Sequence, residues 1–454
     1  MTGGRVLTAG GWSSSDVFIE SGRIVSAGSV VRTTGTGGGG PGGPTEMGTA
    51  GAGAERAALR PTAANDAETV VGADAPAAAG EWPVAGRGDR VLDAADLLVV
   101  PGFVDLQCNG AVGVDLTTEP ERLWDVAAAL PRWGVTAWLP TIITAPAAIR
   151  ARALEVVRSG PPAARVDAAD DRPFAVPLGL HLEGPFLAPD RRGAHPPSLL
   201  VAPDLGLVAA EGWTRGAGVA MVTLAPELPG ALEVVHALTA AGVVVSVGHS
   251  SATAEQVTAA IDAGVTWVTH LFNAMAPLHH REPGLVGVAL TDERVRVGAI
   301  ADGVHLHPAT VALVARVLGD RLCLVTDAVA ALGMPGGPVA LGAMEAFASS
   351  DGVRLADGTL AGSDLSLDRA VRNLVAFAGV SLAEAVAAVT SAPAAVLGLA
   401  DRGVIAPGAV GDVVLLDPGG EVVATVVGGR VAHDRRATSP SASRGAEPEG
   451  TWRS

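Results

Sequence analysis

Eight apolar, strand-like runs recur between Pro101 and Asp401, most of them closing on polar residues. They end at Gln107, Ile143, Glu183, Glu227, His249, Phe272, Asp302 and Asp327. Amphipathic stretches such as PERLWDVAAALPRWG, SATAEQVTAAIDAG and HPATVALVARVLG lie between many of them. Continuous apolar strands that alternate with helices imply a parallel sheet covered on both faces. Eight such units in this length of chain predict an α/β fold of the (β/α)8, TIM-like barrel type. The rival, an open doubly wound sheet, calls for a phosphate-binding glycine fingerprint after its first strand, and no such fingerprint stands there.

The flanks read differently. Residues 1–31 alternate apolar and polar positions, with Ser21-Gly22 as a hairpin turn. Residues 89–100 and 403–433 also read as short strands, so both chain ends are expected to build one small discontinuous β-sandwich around a barrel at 101–402. Between these, residues 32–88 carry Gly runs, Ala, Pro and scattered charge without periodicity, and are expected to be a disordered insertion. The tail 434–454 is assigned the same state.

Charge and cysteine content narrow the class of function. A formal net charge of −16 argues against nucleic acid or an anionic membrane as the main partner. An anionic substrate would then need a local positive pocket. Two cysteines, Cys108 and Cys323, are too few for a disulfide framework and suit a reducing compartment. No signal peptide and no apolar run long enough for a membrane span are evident. A soluble, cytoplasmic protein is expected.

The polar residues at the run ends carry the chemistry. Gln107, Glu183, His249, His270 and Asp327 all fall at or just after C-terminal strand ends, the rim on which barrel active sites are built. A single histidine there is more often structural; the argument is the coincidence on several strands. Glu183, His249 and His270 make a carboxylate–imidazole set that suits a divalent cation with an open position. Their separations are too long to form a short motif. Asp327 could be a solvated strand cap or, beside a cation, a proton acceptor and donor. His195 and His305 lie in loops and could polarise a carbonyl or bind a polar substrate group; solvent-facing loop histidines are the alternative. Arg281, beside His279 and His280, is the most obvious local cation for a phosphate, with a surface pair to Glu282 as the alternative. In LAGSDLSL a helix is expected to begin near Ser363 or Asp364, with its first amides free for substrate oxygens or capped by those side chains.

Taken together, PGFVDLQCNG, GLHLEGPFLAP, RRGAHP, TLAPE, VGHSSAT, THLFNAMAPLHHREPG, IADGVH, VTDA, GTLAGSDLSL, APAAVLGL and GVIAPGAVGDVVLLD resemble, in order, the N-acetylglucosamine-6-phosphate deacetylases of the amidohydrolase superfamily. The resemblance implies hydrolysis of the acetamide of N-acetylglucosamine 6-phosphate to glucosamine 6-phosphate and acetate. It also implies one divalent metal per subunit, zinc or iron, on Glu183, His249 and His270. Asp327 would be the general acid/base and His195 would polarise the acetyl carbonyl. Gln107, Ala194, Asn273, Ala274, Asp302, His305, Leu360, Ala361 and Gly362 would line or adjoin the substrate pocket. Arg281, with His305, would bind phosphate, reaching the neighbouring subunit of a homodimer. Many amidohydrolases carry His-x-His after the first strand; here Gln107-Cys108-Asn109 stands instead, so a single metal is expected. Arg192 replaces a usual Lys, Leu367 a common Met, and residues 32–88 have no counterpart. An N-acetylgalactosamine 6-phosphate deacetylase, a cyclic amidase and a non-catalytic sugar-phosphate sensor are the competing readings.

Overall fold

Burial on both faces dictates the central element of the molecule. In the computed structural model, which describes residues 1–28, 91–162 and 172–437, the strands Phe103–Cys108, Val135–Ile143, Leu180–Glu183 and Val219–Leu224 are buried at every position. Val244–Val247, Val265–Val268, Arg296–Ala299 and Leu322–Leu324 follow. Each pairs in parallel with its predecessor. The ring closes between first and last strands. The Asp327 amide donates to Gln107 O at 2.9 Å, the Asn109 amide to Ala328 O at 2.7 Å, and Cys108 and Ala328 form a parallel bridge. Closure excludes the open-sheet alternative.

The closing seam carries a buried carboxylate. Thr326 donates to Asp105 twice, from Oγ1 to Oδ2 at 2.6 Å and from its amide to Oδ1 at 3.3 Å, joining first strand to last, and the Gln107 amide, in the first strand, donates to Oδ1 at 3.2 Å. Burial pushes the Asp105 carboxyl up to about 7, against the hydrogen bonds it accepts. Helices Leu123–Ala129, Ala254–Asp262 and Pro308–Leu318 occupy the three amphipathic stretches.

Both chain ends do share one sheet. Its order is Gly11–Ser14, Arg5–Thr8, Leu98–Pro101, Val413–Leu416, Val422–Val427, Arg430–Asp434. A hairpin, Asp16–Glu20 and Arg23–Gly28, turns at Ser21 (φ 49°) and Gly22 (φ 77°), the two left-handed residues that a type I′ turn needs. Val6, Val17, Ile24, Val99, Val413, Leu415 and Val423 fill the space between hairpin and sheet, which makes the unit a small β-sandwich. The insertion expected at 32–88 lies outside the described residues, as does the tail from 438 on.

A further sheet was not foreseen: Gly337–Leu341, Met344–Ser349 and Gly352–Leu355 form an antiparallel meander. Its inner residues Leu341, Ala346, Ala348 and Val353 pack on Ile143, Ala194, Val329 and Ala361 at the barrel mouth. A second difference concerns LAGSDLSL. The helix there is Leu367–Ala378, preceded by Ser366, not one that starts at Ser363 or Asp364. Ser363 is engaged elsewhere: its hydroxyl donates to Thr326 O at 2.5 Å and its amide to Asp327 O at 2.8 Å. These bonds keep the segment extended along the last strand. Cys108 and Cys323 are buried free thiols. No helix among the described residues is long and apolar enough to cross a membrane.

Candidate active site

Three strand ends bring the expected cation ligands together. Glu183 ends the third strand; His249 and His270 each stand two residues beyond the fifth and sixth. Glu183 Oε1 lies 3.2 Å from His249 Nε2 and 3.1 Å from His270 Nε2, and the two nitrogens are 3.1 Å apart. All three residues are buried. His249, His270 and Asp327 have φ of 49°, 27° and 48°, a left-handed region that such residues enter rarely and mostly where surrounding structure holds them. Each leaves its strand sharply, which turns the side chain over the barrel mouth.

The donor set fits a cation. His249 Nδ1 donates to Arg191 O at 2.9 Å, which leaves Nε2 as the nitrogen that faces a carboxylate and a second imidazole nitrogen. That arrangement is repulsive unless a positive charge sits between them. Ligands about 2.0–2.1 Å from a tetrahedral ion stand roughly 3.3–3.4 Å from one another, close to the spacing found. Burial would raise the Glu183 carboxyl, yet hydrogen bonds and charge from His195, His249 and His270 hold it well below the usual carboxylate range. Burial would also lower His270; the Glu183 carboxylate outweighs this and raises it.

Asp327 faces this cluster across Gln107. Gln107 Nε2 donates to Glu183 Oε1 and to Asp327 Oδ1, both at 3.1 Å, and Asn109 Nδ2 donates to the same Oδ1 at 2.7 Å. All three bonds use amide nitrogens. The oxygens Gln107 Oε1 and Asn109 Oδ1 are buried without a hydrogen-bond partner. Exchanging Gln107 oxygen for nitrogen would set it against two carboxylates, which fixes its orientation. Burial, then the Glu183 charge, push the Asp327 carboxyl up to about 6. His195 accepts from the Thr144 amide at Nδ1, 3.2 Å away, so its proton sits on Nε2, which lies 3.7 Å from Glu183 Oε2. Burial lowers this ring to about 4, leaving it a neutral N–H donor at the mouth.

These groups open into a cavity of about 470 Å³. Ala194, Asn273, Ala274, His305, Leu360 and Gly362 line it, as expected. Gly362 has φ +67°, and a Cβ there would lie 2.4 Å from Val329 Cγ1 and 2.8 Å from Asp327 O, so no larger residue fits. Asp302 stands behind the wall, taking the His305 Nδ1 hydrogen bond at 2.6 Å. Ala361 is packed under the meander, and Gln107 lies between Glu183 and Asp327. Arg281 is exposed and apart from this cavity, with Nη1 2.7 Å from His280 Nε2. No ion pair joins it to Glu282 among the described residues.

Four contributors went unread in the sequence. Asn109 helps hold Asp327. Arg191 gives the carbonyl that orients His249, and its side chain lines the cavity with that of Arg354. Glu227, in TLAPE, accepts from Ser250 Oγ at 2.7 Å and the Ser251 amide at 2.6 Å, which grips the chain just past His249. Asn109 lay two residues past Gln107, already marked by its strand end, and Glu227 itself closed an apolar run.

Comparison with known proteins agrees with this geometry. Residues 98–432 match the family model described as "Amidohydrolase family". An N-acetylgalactosamine-6-phosphate deacetylase of Escherichia coli O157:H7 is 40% identical over 346 residues, 74% of this chain and 88% of that protein. An N-acetylglucosamine-6-phosphate deacetylase of Danio rerio is 38% identical over 348 residues, 73% of this chain and 83% of that one. The crystal structure of N-acetyl-D-glucosamine-6-phosphate deacetylase from Mycobacterium smegmatis superposes with a TM-score of 0.75 at 32% identity, covering 95% of this chain and 98% of that one. The match begins in Leu98–Pro101, the sheet strand before the barrel, and ends in Arg430–Asp434, the last strand of the same sheet, so the chain belongs to the amidohydrolase family, a group of metal-dependent hydrolases.

Proposed function

We propose that this chain hydrolyses the acetamide of N-acetylglucosamine 6-phosphate, releasing acetate and glucosamine 6-phosphate. The observation that carries the reading is Asp327, raised in pKa, set beside the Glu183–His249–His270 cluster with the His195 Nε2–H at the same mouth. One divalent cation per subunit, zinc by its preference for imidazole and carboxylate, would be held by those three residues and would supply Lewis-acid polarisation and a more acidic water. Asp327 takes the proton of the attacking water through the carboxylate that Gln107 and Asn109 orient. It then delivers that proton to the departing nitrogen, without which the amine leaves poorly. His195 donates from Nε2 to the acetyl oxygen as charge gathers there. Ala194, Asn273, Ala274, Leu360 and Gly362 wall the sugar. His305, steadied by Asp302, and Arg281 from the second subunit of a homodimer bind the phosphate.

Acetate release from 6-phosphorylated and free N-acetylglucosamine and N-acetylgalactosamine, with metal analysis of the same sample, tests this. Turnover should be highest on N-acetylglucosamine 6-phosphate and should track bound metal. Preference for the galactosamine epimer, the substrate in the name of the 40%-identical relative, would reassign the sugar while keeping the chemistry. No acetate from any of them would refute the deacetylase reading.

A further inference from the structure

The cavity contains a cation that no reading of the sequence assigned. Two arginines line it, Arg191 and Arg354. Arg191 is committed: its Nε donates to Ser251 Oγ at 2.7 Å, and Asp190 stands 3.6 Å away. Arg354 makes no ion pair among the described residues. Its Nε and Nη1 donate to Asp351 O at 3.2 Å and Gly358 O at 2.8 Å, two carbonyls of its own hairpin. Neither bond neutralises the charge, and neither uses Nη2. Arg354 is half-exposed, so its guanidinium, without an acidic partner among the described residues at the rim of the catalytic cavity, is a local positive charge open to an anion on a chain of net charge −16.

Its placement is specific. Arg354 belongs to Gly352–Leu355, the last strand of the meander at the barrel mouth. Val353, beside it, is fully buried on the inner face of the meander; Arg354 alternates to the outer face, opposite the exposed Phe347, and borders the cavity at its rim with Thr359 and Leu360. Arg354 bridges in register with Leu360, and the Ala361 amide donates to Val353 O at 2.9 Å. The strand is thereby stitched to the segment that walls the sugar pocket. At Gly352 an added Cβ would lie 3.0 Å from Val304 Cγ1, so the meander rests on the turn that carries His305. The two bonds to its own hairpin hold the guanidinium stem in place, which lowers the entropy cost of a further contact.

We infer that Arg354 is a phosphate-binding residue contributed by this chain to its own cavity, selecting sugars with an anionic 6-substituent. The inference rests on the proposed deacetylase reading for its substrate and assigns a role that Arg281, exposed on its own chain, does not fill alone. Arg354 acts by binding and takes no part in the proton transfers.

The test compares wild type with R354M, R354K and R281M. In R354M the ratio of kcat/KM for N-acetylglucosamine 6-phosphate to that for N-acetylglucosamine should fall about 10-fold or more, carried by KM, as expected for loss of a charged hydrogen bond. R354K should restore part of the ratio. A purely structural arginine would lower both substrates together and leave the ratio intact, which would overturn the inference. So would selectivity lost wholly in R281M and untouched in R354M. Calorimetric binding of D-glucose 6-phosphate against D-glucose gives a readout free of turnover. If wild type releases no acetate yet binds glucose 6-phosphate in a manner that R354M abolishes, the deacetylase reading fails and the Arg354 site stands. If phosphosugar affinity is the same in R354M, the Arg354 site fails whatever the reaction.

Discussion

The barrel mouth and the two-ended sandwich are made from similar apolar residues and hold opposite kinds of core. Between its sheets the sandwich buries Val, Ile, Leu and Ala; Asp16–Glu20 alternates inward and outward, while Val413–Leu416 and Val422–Val427 are buried at every position. At the mouth, Asp105, Gln107, Asn109, Glu183, His195, His249, His270 and Asp327 are buried together. Three of them sit at left-handed backbone angles. Charge burial and strain both cost stability. They persist at the mouth because the apolar ring beneath and the sheets around it over-determine the geometry. Chemistry and fold stability should therefore separate by region.

The sharpest way to break this contrast is at Asp327. Asp327→Asn should lower kcat by about 10²–10⁴-fold, while metal content by elemental analysis stays at wild-type stoichiometry; full activity in that variant would remove Asp327 as the base. Leu415→Ala, in the sandwich, should do the reverse. A fully buried leucine lost from a packed interior costs about 2–5 kcal/mol, visible as a lower denaturant midpoint, with kcat/KM at 25 °C near wild type. A matched loss of activity would show that the two regions are not independent.

Smaller effects sharpen the comparison. Ser251→Ala removes the hydroxyl between Arg191 and Asp190 and loosens the loop whose carbonyl orients His249. Metal affinity by chelator competition should weaken about 10-fold, with little change in the melting temperature. The mildest prediction concerns pH. Asp327 must be ionised to accept a proton, and its carboxyl is raised to about 6 by burial and by Glu183. Activity should therefore rise with pH through an acid limb and be lost as pH falls. A bound cation favours the ionised form, so the midpoint should lie at or below about pH 6. A limb centred well above 7 would place the titrating group elsewhere.

Legibility followed the same division. The eight barrel strands could be read because parallel strands buried on both faces leave uninterrupted apolar runs. The Ser21-Gly22 turn could be read because so few residue pairs accept its backbone. The meander could not. GPVAL, MEAFAS and GVRL are four to six residues long, glycine-bounded and half exposed, a pattern any loop can show. The helix after LAGSDLSL was placed too early because Ser363, Asp364 and Ser366 are all plausible caps; Ser363 is diverted by Thr326 O, a partner 37 residues away. Glu183, His249, His270 and Asp327 stood out as polar ends of apolar runs. The Arg191 carbonyl on His249 and the Glu227 grip on Ser250 and Ser251 depend on backbone groups and on loops meeting from different strands, which side-chain identity does not encode.

Closure of the barrel at Cys108 and Ala328 also has an operational meaning. Its last rung lies one residue from Asp327, and Asp105 and Thr326 fasten the same place from below. Fraying there would displace the proton carrier while the other strand pairings survive. Mild heat or denaturant should then silence the enzyme well before circular dichroism registers any loss of helix or sheet, and cooling should bring activity back at the pace of a local zipper.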